Sequence, residues 1–591
     1  MNVLSNVNSL KSAIKKANIN AVILLGTDPH LSEYIPDHFQ VIKWLSGFTG
    51  SYAKMVVTQD KALLWTDSRY FIQAEDQLKN SGIILMRDRQ IDSISIENWL
   101  INELNSGDVV ALDGLTISAS EYHQLKTNFA ANGMSLIEKE GLVDLIWSNR
   151  PLVQNSKIYS YPVSSSGQNR IEKLKTIRQL LNSRGAEATL ISALDELAWT
   201  FNLRGEMHNF SPLFAGYGYV DQNKAILFVS KSQISESLIQ ELANDGIEVV
   251  AYEELIAYLS GHIPKFIYLD SSRINSKLMN LFLDNSVVIE GVSLIAKLKS
   301  IKNKVEISGM KAAHRRDGVA MVNFLYWLQS SLGKEKITEV SIAEKIKSFR
   351  AQQIRFKGES FSSIVGFGPH GAIVHYNATP NTDIEIRKNG ILLIDSGGHY
   401  SDGTTDITRT LAIGMVSAKQ KKDFTLVLKG IINLANAIFP NGVKGHSLDV
   451  LARNSLWKEK LNYGHGTGHG VGHYLSVHEG PMSIRSEINN EPIVPGQILS
   501  NEPGLYREGK YGIRIENIQL CINAGENLGI SFNSFETLTL CPIDRRLINK
   551  SLLNSDEVKW INSYHKKVYL ALKSSLTSPV LVWLKSQCNP L

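Results

Sequence analysis

Histidines stand at positions 465, 469, 473 and 478 in GHGTGHGVGHYLSVHEGP, residues 464–481, interleaved with glycines and with few long aliphatic side chains. Imidazole binds metal ions and carries protons near neutral pH, while glycine lets the backbone approach a substrate closely. A glycine-rich surface loop with incidental histidines would have the same composition. The carboxylates on either side decide between the two.

Two of these acids lie in GILLIDSGGHYSDGTTDITRTLAIG, residues 390–414, which reads as strand, glycine-rich connection, strand. With the connection centred on Tyr400 and Ser401, Asp395 and Asp406 are expected to face each other across an antiparallel pair, their Cβ atoms about 5 Å apart. Like charges so placed repel, and an aliphatic strand beside them removes water. A shared proton or a cation such as Arg409 would offset the repulsion, but a divalent ion does so best with oxygen ligands. Glu502 follows the apolar run QILS, where Pro503 ends the strand. In YGIRIENIQL, residues 511–520, alternation puts Arg514 and Glu516 on one face and Ile513 with Ile515 on the other. Each acid alone reads as an ordinary strand-end carboxylate. Together Asp395, Asp406, His469, Glu502 and Glu516 can neutralise and bridge two divalent ions about 4 Å apart, as in two-metal hydrolases. The lack of thiolates in the set favours manganese, cobalt, iron or zinc over copper or an iron–sulfur cluster.

A chain of 591 residues needs three or four domains to position such a set. Residues 10–18 read as helix and the apolar run AVILL, residues 21–25, as a buried strand. Strands at 54–57 and 62–65 and a helix over 69–78 follow, which predicts an α/β domain ending near Asn155. The polar stretch 151–169, with its prolines and serines, reads as a linker. A helix at 170–183 and a strand at 188–191 then restart the same order, with DELAWTFNLRG in the place of VIKWLSGFTG, predicting two related domains in tandem. The expected division is 1–155, 156–303, 304–545 and a helical extension, 546–591. The third domain opens with a helix from Lys304 and a second at 341–352. In the extension Trp560, Tyr564, Tyr569, Leu572 and Trp583 are apolar anchors, suited to packing on their own domain or on a second subunit.

Lys and Arg number 62 against 57 Asp and Glu, and no basic tract is interleaved with aromatics, so neither charge nor pattern points to nucleic acid. The N-terminus lacks the apolar core of a signal peptide, and no stretch offers about 20 apolar residues to span a bilayer. Cys521, Cys541 and Cys588 read as buried thiols of a reducing compartment. A cytoplasmic protein without membrane partners is expected.

The motifs DSGGHYSDGTTDITRT, HGTGHGVGHYLSVHEGP, NEPG and GIRIEN resemble the metal-binding motifs of the proline-directed metallopeptidases with the creatinase or pita-bread fold, the aminopeptidase P branch above all. SEYI (32–35), SGFTGS (46–51), WTDSRYF (65–71), WINSYH (560–565) and the C-terminal VLVWLKSQCNPL extend the likeness to the three-domain cytosolic type over nearly the whole chain. The resemblance implies two creatinase-like α/β domains before a pita-bread catalytic domain, and two divalent ions, manganese first, held by Asp395, Asp406, His469, Glu502 and Glu516. It also implies that His375, His465 and His478 line the substrate site with His469, and that Arg69 reaches it from the first domain. The implied reaction is hydroxide attack on the carbonyl of an Xaa-Pro bond in a short peptide, freeing the N-terminal residue. Glu502 is the expected base, with His375 and His478 stabilising the oxyanion or shuttling the proton. A homodimer is expected from the fold. His473 departs from the motif, which has a small or less polar residue there, and is left without a role, facing solvent.

GFGPHG, residues 366–371, matches a dinucleotide-binding pattern, but a strand-like AIVHY follows it where a helix is needed. Serine-hydrolase and zincin motifs are absent. A prolidase or a methionine aminopeptidase would share the metal core, and a non-catalytic binding protein could keep the fold.

Overall fold

The computed structural model describes residues 3–90, 92–153, 156–207, 210–387 and 389–591. They form two compact units: Met1–Tyr161 with Gln168–His208 and Pro212–Ala296, and Lys297–Leu591 with Pro162–Gly167 and Asn209–Ser211.

The first unit contains one topology twice. Its first sheet runs Ile84–Arg87, Ala62–Thr66, Lys54–Thr58, Ala21–Leu25, Val109–Leu112, Ser135–Glu138 in spatial order, and its second Glu248–Ala251, Ala225–Val229, Tyr217–Asp221, Ala188–Ile191, Phe266–Leu269, Val287–Glu290. In both, the central strand pairs antiparallel on one side and parallel on the other. All five residues of Ala21–Leu25 are buried, as an unbroken apolar run requires when helices cover both faces. The helix Arg170–Ser183 starts where Asn169 and Glu172 cap each other's backbone N–H groups. Asn275 Nδ2 donates to the Pro29 carbonyl (2.9 Å), and Ser276 donates to Glu138 (2.8 Å), tying the two halves together.

The expected linker contains short regular elements. Tyr159–Ser160 pairs with Leu203–Arg204, and Val163–Ser166 is a short helix entered at Pro162 and left at Gly167, which takes a left-handed conformation. Asn155, the expected domain end, lies outside the described residues.

In the second unit the helix Lys304–Ser331 opens on an Asn303–Glu306 capping box, and Glu339–Ala351 follows it. A three-stranded sheet orders Ile364–Phe367, Gly390–Ser396 and Ile407–Ile413. A six-stranded sheet orders Phe439–Pro440, Ile530–Thr537, Asn517–Asn527, Ile498–Asn501, Gly468–Gly470 and Glu479–Ile484, and a separate hairpin joins Gly504–Arg507 to Tyr511–Arg514. Helices Ala418–Ala435 and Gly445–Trp457 pack on these strands. The C-terminal helices Ser555–Leu572 and Ser578–Gln587 place Ile561, Tyr564, Val568, Leu572, Val580 and Leu584 in the core that holds Ile431, Ile513 and Ile515, so the extension packs on its own unit. Cys521 and Cys541 are buried free thiols, whereas Cys588 is half-buried against that core. No helix among the described residues is long and apolar enough to cross a membrane.

Candidate metal centre

Gly390–Ser396 and Ile407–Ile413 pair antiparallel with Asp395 opposite Thr408, not Asp406. Asp406 lies two residues further along and so shares the face of Asp395 on the diagonal. The expected register fails because the connection is not a simple hairpin. Gly398–Tyr400 leaves the sheet to pair with Phe356–Glu359 and Gly403–Thr404, which moves the centre of the turn.

The other ligand candidates come from three neighbouring segments. His469 is the middle residue of the strand Gly468–Gly470; Glu502 follows Ile498–Asn501; Glu516 bridges Tyr511–Arg514 and Asn517–Asn527. His469 Nε2 stands 3.6 Å from Asp406 Oδ2 and 3.5 Å from Glu502 Oε1. These separations are long for hydrogen bonds, whereas two ligand atoms each about 2.1 Å from one shared ion lie about 3.0–3.4 Å apart. Ligand atoms of Asp406, His469 and Glu516 all fall within 4.8 Å of one another.

Arg514, not Arg409, supplies the positive side chain. Strand alternation turns Arg409 to the opposite face, where it donates to the carbonyls of Cys541 and Glu516 and to Tyr564. Arg514 donates to Asp395 Oδ2 (2.6 Å), Tyr506 (2.6 Å), Thr408 (3.2 Å) and the Val374 carbonyl (3.3 Å). Thr408 in turn donates to Glu516 Oε2 (3.0 Å), and Ser500 to Glu502 Oε1 (3.1 Å). Sequence reasoning missed Tyr506, Thr408 and Ser500. Alternation along Asp406, Thr408 and Thr410 was a readable signal for Thr408; nothing local marked the other two.

The electrostatics are those of a crowded acidic pocket. Burial pushes Asp395 up to about 7 against the pull of Arg514, with Asp406 adding to the rise. Burial raises Glu502, and raises Glu516 well above the carboxylate range with Asp406 and Glu502 beside it. Burial alone would lower His469, but Asp406 and Glu502 outweigh it and hold the imidazole up at about 9. One oxygen each of Asp395, Asp406 and Glu516 is buried with no hydrogen-bond partner among the described residues. Carboxylate oxygens left so are costly unless a cation meets them, and an all-oxygen set with one imidazole suits a divalent ion. The residues present therefore fit metal ions.

The remaining site candidates divide. His478 lies against His469, ring centroids 4.3 Å apart at 87°. His465 donates through Nδ1 to the Gly466 carbonyl (2.8 Å) and accepts at Nε2 from Tyr506 (2.8 Å), which links it through Arg514 to Asp395. His375 occupies a turn after the short 3₁₀ helix Gly368–Ala372, not a strand, since glycines at 366, 368 and 371 fold the segment back on itself. The segment AIVHY after GFGPHG, expected to be strand-like, is thus the end of a 3₁₀ helix and a turn. His473 is buried, not solvent-facing. A Cβ on Gly309 would meet His473 Nε2 at 3.0 Å and the Asp402 carbonyl at 2.3 Å, so the long helix covers His473 only because position 309 is glycine. Arg69 belongs to the other unit, where Asp67 pairs with it at 2.7 Å and Tyr52 and Tyr70 flank it.

Comparison with known proteins identifies the family. The model of metallopeptidase family M24 matches residues 308–522 and that of the C-terminal region of peptidase_M24 residues 531–591; two creatinase/prolidase N-terminal domain models match 7–146 and 149–306. A probable Xaa-Pro aminopeptidase P of Laccaria bicolor is 36% identical over 612 residues, spanning 100% of this chain and 94% of its own. Aminopeptidase P1 of Lotus japonicus is 34% identical over 659 residues, spanning 100% and 99%. The crystal structure of X-prolyl aminopeptidase from Caenorhabditis elegans, described as a cytosolic enzyme with a di-nuclear active site, matches with a TM-score of 0.96 at 34% identity over 100% of both chains. The chain belongs to metallopeptidase family M24, within its Xaa-Pro aminopeptidase P branch.

Proposed function

We propose that this protein is a metal-dependent aminopeptidase that releases the N-terminal residue from short peptides with proline in second position. The observation that carries the reading is the grouping of Asp406, His469 and Glu516, their ligand atoms within 4.8 Å of one another, beside buried carboxylate oxygens that lack a partner among the described residues, in a chain alike over its whole length to Xaa-Pro aminopeptidases. Asp395, Asp406, His469, Glu502 and Glu516 would hold two divalent ions, with manganese the metal to try first. Such ions, when bound, make a water acidic enough to attack at neutral pH and draw electron density from the scissile carbonyl.

The side chains do the rest. Arg514 fixes Asp395 by charge and by hydrogen bond, so the ligand set is oriented before metal arrives. Glu502, beside His469 and held by a hydrogen bond from Ser500, is placed to take the proton of the attacking water. His375 and His478 stabilise the carbonyl oxygen as negative charge develops or shuttle a proton to the leaving nitrogen. That nitrogen belongs to proline and carries no N–H in the peptide, so selectivity rests on the shape of the proline pocket and on recognition of the free α-amine. His465, held by Tyr506, lines the substrate site, and Arg69 has a substrate-binding role.

The proposal extends to a cytoplasmic location, a homodimer, and domains at 1–155, 156–303, 304–545 and 546–591; the two separate N-terminal sheets support the first boundary. Hydrolysis of Arg-Pro-Pro and of Arg-Pro by metal-stripped protein, with and without manganese, tests the reaction. Free arginine from the tripeptide, restored by manganese and absent in Asp406→Ala, is expected. Cleavage of the dipeptide alone would replace the reading with a prolidase, and cleavage of neither would refute an enzyme of this kind.

A further inference from the structure

His375 sits in a turn, and a catalytic side chain on a turn needs its backbone held from outside. Its two neighbours in the chain are both tied. On one side the Val374 carbonyl accepts from Arg514, which also holds Asp395. On the other, the Tyr376 hydroxyl donates to Glu339 Oε2 at 3.0 Å, with the Thr382 carbonyl 3.1 Å away as a second acceptor. Glu339, the first residue of the helix Glu339–Ala351, is fully buried. The same carboxylate accepts from the Phe367 backbone N–H at 2.8 Å and from His370 Nδ1 at 2.9 Å.

The Glu339 carboxylate thus clasps the segment 367–376 at its start, near its middle and at its end, from a rigid helix. A carboxylate offers about four acceptor sites and no donor, so it can gather an N–H, an imidazole and a phenol at once. Burial, with Glu339 beside it, pushes the Tyr376 phenol upward, which keeps it a donor. Resting on the role proposed above for His375, the geometry points to Glu339 as the positioning residue for that histidine. The hydrogen bonds to its carboxylate among the described residues come from Phe367, His370 and Tyr376, so it acts by fixing where the imidazole stands.

The test compares Glu339→Gln, His375→Ala and the double variant as manganese-loaded enzymes on Arg-Pro-Pro. The amide keeps the size of Glu339 but loses an acceptor facing Tyr376 and His370. Misplacing a catalytic group by about 1 Å slows a reaction up to about 100-fold, so Glu339→Gln should lower kcat about 10- to 100-fold. Its KM should stay within about twofold, and its manganese content should match the wild type. The double variant should be no slower than His375→Ala, because a displaced imidazole cannot be lost twice. Losses that multiply, or a wild-type kcat in Glu339→Gln, overturn the inference. Should Glu339→Gln not fold, Tyr376→Phe removes one hydroxyl of the same clasp; multiplicative losses with His375→Ala refute the proposal there too. A wild-type kcat in His375→Ala itself would sink the role of His375 and this inference with it, whereas a slow His375→Ala with multiplicative losses sinks the inference alone.

Discussion

Replacing His565 with glutamine should change how stability depends on pH, by an amount that follows from its surroundings. His565 is fully buried in the helix Ser555–Leu572, and its Nε2 accepts from the Ile543 backbone N–H at 3.1 Å. Burial, with Arg545 and Arg409 nearby, lowers the imidazole from 6.5 to about 4. Above pH 6.5 it is neutral whether the chain is folded or not, and its contribution is fully present. Between 6.5 and 4 the unfolded chain takes up a proton that the native state refuses, so stability falls as pH falls. Each pH unit of that interval is worth about 1.4 kcal/mol, roughly 3 kcal/mol in all, of which about 2 are lost between pH 7.5 and 5. Glutamine keeps an acceptor for Ile543 but does not titrate. Urea unfolding of wild type and His565→Gln, read on the C-terminal unit at pH 7.5, 6 and 5, isolates this residue from the other histidines. The free-energy gap should move about 2 kcal/mol in favour of the variant by pH 5. A gap that is flat with pH, or that widens in favour of wild type, refutes the reasoning.

Glu479→Gln should cost about 3–5 kcal/mol in the same assay, because it removes the carboxylate that pairs with buried Lys299 (2.6 Å) and with buried Lys302; a loss under 1 kcal/mol would mean that water reaches the lysines. Gly445→Ala puts a Cβ 1.8 Å from the Ser483 carbonyl, and thermal unfolding should show about 3 kcal/mol of overpacking between helix Gly445–Trp457 and strand Glu479–Ile484. An unchanged midpoint would show that the helix can back away. Manganese at 100 times its Kd should stabilise metal-stripped protein by about 2.7 kcal/mol for each ion bound, and Asp406→Ala should abolish the gain; an equal gain in that variant would place the metal elsewhere.

What the sequence revealed of fold and site follows the range of the interactions concerned. Strands Ala21–Leu25 and Ala188–Ile191 and helix Arg170–Ser183 could be read to the residue because apolar period and capping are local. The duplication was visible for the same reason. The pairing of Asp395 was misread because register depends on where the connection turns, and Gly398–Tyr400 finds a partner in Phe356–Glu359, some forty residues earlier. His375 looked like part of a strand because its neighbours are apolar, but the glycines around it favour a turn. His473 was placed in solvent because the glycine that buries it, Gly309, lies on a helix more than 160 residues away. Arg409 and Arg514 both stand on strands beside acids; only tertiary packing separates the counter-cation from the buried scaffold residue.

Arg514 has a consequence for how the protein tolerates change. Its guanidinium joins residues 374, 395, 408 and 506, which lie on four segments separated by loops of different lengths. Their mutual alignment is set by one planar group whose donors have fixed directions, not by the loops that connect them. Insertions or deletions in those loops can therefore accumulate without re-aiming the proposed metal ligands. The exchange of this arginine for lysine, which keeps the charge, would let four segments drift at once.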